Sequence, residues 1–178
     1  RDWLLTPTSA PAGGHAQVHA WQDLVARQQA PDSSVPQADD LALLMYTSGT
    51  TGHPKACMHS HRTIMANAIQ PRLWQDLQED DVALVALPLF HITGLVGGLL
   101  GSMCSGARVV LLPRWDRRVA ATAIAAQRVT HWTNIPTMVV DLLAAPELGD
   151  FDLRSLRYIG GGGAAMPEAV ANELKRRF

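Results

Sequence analysis

The stretch Tyr46-Thr-Ser-Gly-Thr-Thr-Gly-His-Pro-Lys55 holds the densest set of residues able to do chemistry. Thr47, Ser48, Thr50 and Thr51 surround Gly49 and Gly52, and Lys55 follows Pro54. Glycines let the backbone approach a ligand closely, and successive N–H groups can then point inward as a nest for anionic oxygens. The hydroxyls add donors, and the lysine adds a mobile positive charge. This chemistry suits the phosphates of a nucleotide. The spacing excludes a Walker A loop, which needs four residues between its glycines and Lys-Ser/Thr directly after the second. Here two residues separate the glycines, and Ala56 follows Lys55. Composition alone leaves a flexible surface hairpin loop as an equal account of the same residues.

Two other loops carry chemistry. Pro88-Leu-Phe-His91 follows an apolar run and brings an imidazole to its exit. Gly160 to Gly163, followed by Ala164-Ala-Met-Pro167, lets a backbone pass where side chains would collide. His59 and His61 are two apart and would share one face of a strand, but no nearby Cys, Asp or Glu completes a metal set. Asn134-Ile-Pro-Thr137 reads either as a helix start, with Asn134 or Thr133 near the cap, or as the wall of a pocket.

The elements that must hold these loops alternate. Strands are expected at Leu41 to Tyr46, Ala56 to His61, Val82 to Leu87, Arg108 to Leu112, His131 to Ile135 and Leu156 to Ile159. Helices are expected at Ala20 to Gln29, Thr63 to Gln70, Val119 to Val129 and Thr137 to Ala145, with a last one opened by Pro167. Pro71 is placed to kink or end the second of these, and Pro146 to close the fourth. The run Ile92 to Ala107 has no charge, is shorter than the ~20 residues a bilayer needs and is broken by glycines. Its Gly97/Gly101 pair would mean helix dimerisation only inside a membrane. It reads as a buried helix packed closely on a sheet. The strands are continuous apolar runs, as when both sheet faces are covered. The fold class is therefore α/β, with a largely parallel sheet covered by helices. In such sheets ligands bind beyond the carboxyl ends of the strands.

Bulk properties narrow the class. The chain has 178 residues, 47 % of them hydrophobic, and a formal charge of −1. That supports a real core and gives no overall basic balance for nucleic acid. Cys57 and Cys104 are far apart, sit in apolar runs and read as reduced cytosolic thiols behaving as small hydrophobes. Trp74, Trp115 and Trp132 are expected in the core or in a groove. The chain starts without Met and ends in a helical pattern, so both ends are expected to be cut. Residues 1–39 read as an incoming segment and linker, and residues 40–178 as one core fragment.

The loop from Tyr46 to Lys55 resembles the signature of the acyl-adenylate-forming (AMP-binding) superfamily. Ala86-Leu-Pro-Leu-Phe-His91 with Gly94, and Leu156 to Pro167, are similar to that family's second motif and to its adenine-binding strand and turn, in the right order. The resemblance covers residue 40 to the end and is most like a fatty-acyl-CoA ligase. It implies that Thr47, Ser48, Gly49, Thr50, Thr51 and Gly52 cradle the ATP phosphates, with Lys55 assisting. It places Gly162, Gly163 and Ala164 along the adenine, His91 near the reacting carboxylate, and Gly94 and Leu95 along the acyl tunnel. The implied reaction joins a carboxylate to AMP with release of pyrophosphate, then passes the acyl group to coenzyme A. Mg2+ would accompany ATP, its main carboxylate ligand lying beyond residue 178. Ala56 stands where members often carry glycine. The later motifs of the family are missing, so this length alone is expected to be inactive. The resemblance implies a cytoplasmic protein, with peripheral membrane contact an option, no transmembrane segment and a small carboxylate as partner. A noncatalytic nucleotide- or acyl-binding module, a peptide-synthetase adenylation domain, and an α/β domain that has lost its ligand stay open beside it.

Overall fold

Proline, serine and glycine punctuation sets most of the element ends. The structure is a computed structural model that describes Ala26, residues 35–47 and residues 55–178. The chain divides into Arg1–Pro36 and Gln37–Phe178. Of the first unit only Ala26, which is helical, Val35 and Pro36 are described, so the expected helix at Ala20 to Gln29 otherwise lies outside the described residues.

In the second unit β1 (Leu41–Thr47) and β2 (Lys55–Ser60) form an antiparallel ribbon, with Thr47 opposite Lys55 and Tyr46 opposite Ala56. The Ser60 hydroxyl accepts from the Thr63 N–H at 3.3 Å and caps α1 (His61–Ala68). The helix stops at Ala68, just before Pro71. Pro71 sits in the first turn of a new short helix, α2 (Gln70–Trp74), where its missing N–H costs nothing. The fully buried β3 (Val82–Val85) follows. A π-helical segment, Thr93–Leu100, then runs directly into α3 (Gly101–Ser105), which stops at Gly106 with φ 76°. Next come β4 (Arg108–Leu111) and α4 (Arg117–Gln127). The Asp116 carboxylate caps α4 by accepting from the Arg118 and Val119 N–H groups, both at 2.9 Å. Then β5 (His131–Asn134) leads into α5 (Pro136–Leu143), with Pro136 in its first turn. A 3-10 turn (Pro146–Asp150), β6 (Tyr158–Gly161) and α6 (Glu168–Arg177) complete the unit.

The four strands β4-β3-β5-β6 form one parallel sheet in that order. Val82, Leu84 and Trp132 belong to one buried core with Ala120 and Ile124 of α4 and Val139 and Leu142 of α5, with Val170 and Leu174 of α6 packed against it. Ala83 and Val85 point to the opposite face, where the π-helical segment meets β3: a β-carbon at Gly98 would lie 3.2 Å from Val85 Cγ1. The parallel α/β expectation is met by this sheet.

Four expectations differ. Leu41 to Tyr46 is not a buried strand of the main sheet: Tyr46 is 67 % exposed, because a ribbon of two strands has no second layer over its faces among the described residues. Trp74 is 84 % exposed, since Pro71 and Leu77 take the buried positions around the short α2. Cys57 and Cys104 are free but exposed, on the ribbon and on α3, rather than buried as small hydrophobes. β6 begins at Tyr158, because Leu153 and Leu156 are buried in the core from the loop before it.

Candidate functional site

The connectivity selects one crevice. β3 is followed by β4 on one side, whereas β5 is followed by β6 on the other. The order therefore reverses between β3 and β5, and in open α/β sheets ligands bind beyond the carboxyl ends at such a switch point. The residues leaving those ends are Ala86 to His91 and Ile135 to Pro136, flanked by the turn from Gly161 to Pro167 after β6. Two of the three loops read as chemical in the sequence leave this edge.

His91 is exposed and held by its own loop. Its N–H donates to the Pro88 carbonyl at 3.0 Å, and its carbonyl accepts from the Leu95 N–H at 3.0 Å. Its Nδ1 accepts from the Thr93 N–H at 3.2 Å, which places the ring proton on Nε2 and leaves an outward donor. Gly94 is buried in the first turn of the π-helical segment. A β-carbon there would lie 2.8 Å from the Leu87 carbonyl oxygen and nearer still to that of Pro88. Leu95 is half-buried. Gly94→Ala is therefore expected to cost about 1–3 kcal/mol and to shift the His91 loop, because backbone cannot give way as a side chain can. At Gly97 nothing lies within 4 Å of the β-carbon position, so Gly97→Ala is the matched control. Equal thermal midpoints for the two variants would remove this explanation of Gly94.

Gly162, Gly163 and Ala164 are exposed at the same edge. Gly162 has open space at its β-carbon position, and Gly163 has φ 88°, a conformation that favours glycine. The turn thus presents bare backbone with room above it, as a flat heterocycle laid on it requires. Thr47 and Lys55 face each other across the ribbon, with the Thr47 hydroxyl donating to the Lys55 carbonyl at 3.4 Å. Both are exposed. Ser48, Gly49, Thr50, Thr51 and Gly52 lie outside the described residues. His91, Gly94 and Leu95 are thus together, and Gly162 to Ala164 share their sheet edge. Thr47 and Lys55 belong to the separate ribbon.

The model of the family described as AMP-binding enzyme matches residues 5–178. The chain belongs to the AMP-binding family. Feruloyl-CoA synthase of Amycolatopsis sp is 36 % identical over 172 residues, covering 97 % of this chain and 35 % of that protein. A long-chain-fatty-acid–CoA ligase of Bacillus subtilis is 31 % identical over 166 residues, covering 90 % and 30 %. The inhibitor-bound N-terminal domain of FACL13 from Mycobacterium tuberculosis superposes with a TM-score of 0.77 at 30 % identity, covering 85 % of this chain and 38 % of that one. The chain thus spans about a third of the length of the relatives it matches.

For an AMP-binding chain two further groups stand out that the sequence did not single out. A groove of about 310 Å3 lies between α1, α2 and the π-helical segment, lined by His59, Thr63, Asn67, Gln75, Thr93 and Gly97. The polar Thr63–Asn67 pair at helical spacing was the signal available for it. At the opposite, amino-terminal edge of the sheet Asp81 is 2 % exposed and ion-paired to Arg157. Burial pushes the Asp81 carboxyl up. The Gln78 N–H, the Thr130 hydroxyl and the charges of His131 and Arg157 outweigh that and hold it below the usual value. This cluster lies away from the switch-point crevice and serves the scaffold.

Among the described residues no group of three His, Cys, Asp or Glu side chains could hold a metal ion. The described residues do not fit a Mg2+ site, and no step is drawn through that metal. No described helix is long and apolar enough to cross a membrane.

Proposed function

We propose that the longer protein to which this chain belongs is an ATP-dependent acid–CoA ligase. It forms an acyl-AMP and then an acyl-CoA thioester, with a medium- or long-chain fatty acid, or another acid of apolar body, as acyl donor. The observation that carries the reading is the AMP-binding family match over a chain whose switch-point crevice is flanked by the His91 loop and the bare-backbone turn Gly162 to Ala164. The activities for which relatives are named, a feruloyl-CoA synthase and a long-chain-fatty-acid–CoA ligase, support the reaction and leave both acid classes in the test.

In this reading the N–H groups and hydroxyls from Thr47 to Gly52, with Lys55, hold the phosphates. The turn from Gly162 to Ala164 carries the adenine. The Nε2 proton of His91, Gly94 and Leu95 face the acid or its path. The residues act mainly by holding carboxylate and α-phosphate in line and by offering fixed donors where charge develops. Residues 1–39 lead into this core, residues 40–178 form the ATP- and acyl-binding part of the large domain, and the whole acts in the cytoplasm.

The test is pyrophosphate release and CoA-thioester formation by the full-length protein and by this chain alone, over a panel of fatty and aryl acids. Turnover by the full-length protein only is the expected result. ATP binding without turnover in either would overturn the ligase reading in favour of a binding module. In the full-length protein Thr50→Val combined with Thr51→Val is expected to weaken ATP binding by about ten- to a hundredfold, the size of one lost hydrogen bond to a charged group. Titration calorimetry decides it, and an unchanged Kd would show that these hydroxyls do not reach phosphate.

A further inference from the structure

Leu111, Val85, Thr133 and Gly160 are register partners and form one row across the sheet near its carboxyl edge. The π-helical segment covers this row at Val85, through Gly98. Past Val85 the row falls to the half-buried Thr133 and then to Gly160, which has no side chain. The result is a trough beside the helix, on the face carrying His131, Thr133 and Tyr158.

Tyr158 explains the glycine. Two residues before Gly160 on the same face, its ring leans along the strand. A β-carbon at Gly160 would lie 2.6 Å from Tyr158 Cζ and closer still to Oη. Behind it the His131 ring stacks at 5.7 Å with planes 20° apart. His131 is itself held by the Gln75 carbonyl and the Thr130 hydroxyl, each at 2.9 Å. The phenol is thus braced from the amino-terminal side, with its hydroxyl directed toward the switch-point edge. Burial raises the Tyr158 pKa, so the phenol keeps its proton and donates. Neither the Tyr158 nor the Thr133 hydroxyl makes a hydrogen bond among the described residues.

We propose that Tyr158, assisted by Thr133, is a specificity residue: the two hydroxyls give the acid-binding trough a polar floor that selects a carboxylic acid whose apolar body carries a hydrogen-bonding oxygen over the plain hydrocarbon acid. The proposal rests on the acid–CoA ligase reading and deepens it. A plain hydrocarbon tail would cover both hydroxyls and leave them unpaired, whereas a phenol, an alcohol or an oxo group would pair with them.

The experiment uses the full-length protein and matched acids: cinnamic with 4-hydroxycinnamic acid, and octanoic with 8-hydroxyoctanoic acid. The ratio of kcat/KM, oxygenated over plain, is the readout. The wild type is expected to favour the oxygenated member of at least one pair. Tyr158→Phe keeps the ring and removes the donor, and is expected to lower that ratio by roughly three- to tenfold, the worth of one neutral hydrogen bond, through KM. Thr133→Val is expected to shift it the same way by less. The pair that responds identifies the acid as aromatic or aliphatic. A wild type that prefers the plain member of both pairs, or an unchanged ratio in Tyr158→Phe, overturns this proposal alone. A wild type that makes no thioester from any acid overturns the ligase reading beneath it.

Discussion

Trp132→Ala is expected to destabilise the sheet unit by about 3–5 kcal/mol, the range for truncating a fully buried large aromatic. Trp132 is completely buried in the second strand from one edge of a four-stranded sheet. Its ring lies 5.3 Å from that of Trp115, with planes 5° apart. Trp115 is fixed in turn by its indole N–H donating to Asp141 at 2.8 Å, and Arg117 pairs with the same carboxylate at 3.2 Å. Removing the ring leaves a cavity that this braced neighbour cannot collapse into freely. The indole N–H of Trp132, however, finds no partner among the described residues. Trp132→Phe should therefore cost much less, about 1–2 kcal/mol, because an unmet donor disappears together with part of the ring. Urea unfolding of the full-length variants checks both values. Equal losses for the alanine and phenylalanine variants would show that ring volume is not what holds this position. Two residues on from Trp132, Asn134 ends β5 at the crevice, so on the proposed ligase reading the alanine variant should also lose turnover before it unfolds.

The parallel sheet was readable because its strands announce themselves. Val82 to Val85 and His131 to Asn134 are short runs bounded by charge or proline, and Pro136 marks a helix start by chemistry that is local. Exposure was not readable. Leu41 to Tyr46 has the composition of a core strand, yet among the described residues it pairs only with β2. Apolar composition shows what could be buried, and the covering layer is decided by chain far away in sequence. The same holds for Trp74 and the two cysteines, whose apolar neighbours in sequence are not their neighbours in space.

The site was legible where glycine spacing carries it. Gly94 and Gly161 stand where a side chain would strike backbone, and Gly163 has a φ that favours glycine, so that requirement shows in the residue type. Tyr158 was not legible, because its place in the trough depends on Gly160 having no side chain and on His131 stacking behind it from another strand. Nor was the Asp81 cluster, whose Asp81, His131 and Arg157 come from three separate stretches of chain and meet only when β3, β5 and β6 come into register.

That cluster yields a pH-dependent result. Asp81→Asn is expected to cost about 1–3 kcal/mol at neutral pH, less than the 3–5 kcal/mol for opening a fully buried pair, because Arg157 is 58 % exposed and stays hydrated. The carboxylate also accepts from the Gln78 N–H at 2.9 Å and lies 3.7 Å from His131 Nδ1, so its loss loosens the start of β3 and the start of β5 together. Its folded pKa lies below the usual carboxylate value, with hydrogen bonds and cations prevailing over burial. A group shifted in that direction contributes its full stabilisation above the unfolded pKa of roughly 4. The contribution is lost as pH falls from there through the folded pKa. The stability gap between wild type and Asp81→Asn should therefore shrink as pH falls below about 4. Denaturant titrations of both proteins across that range measure it. A gap that persists unchanged at pH 3 would mean that the side chain acts there by shape and not by charge.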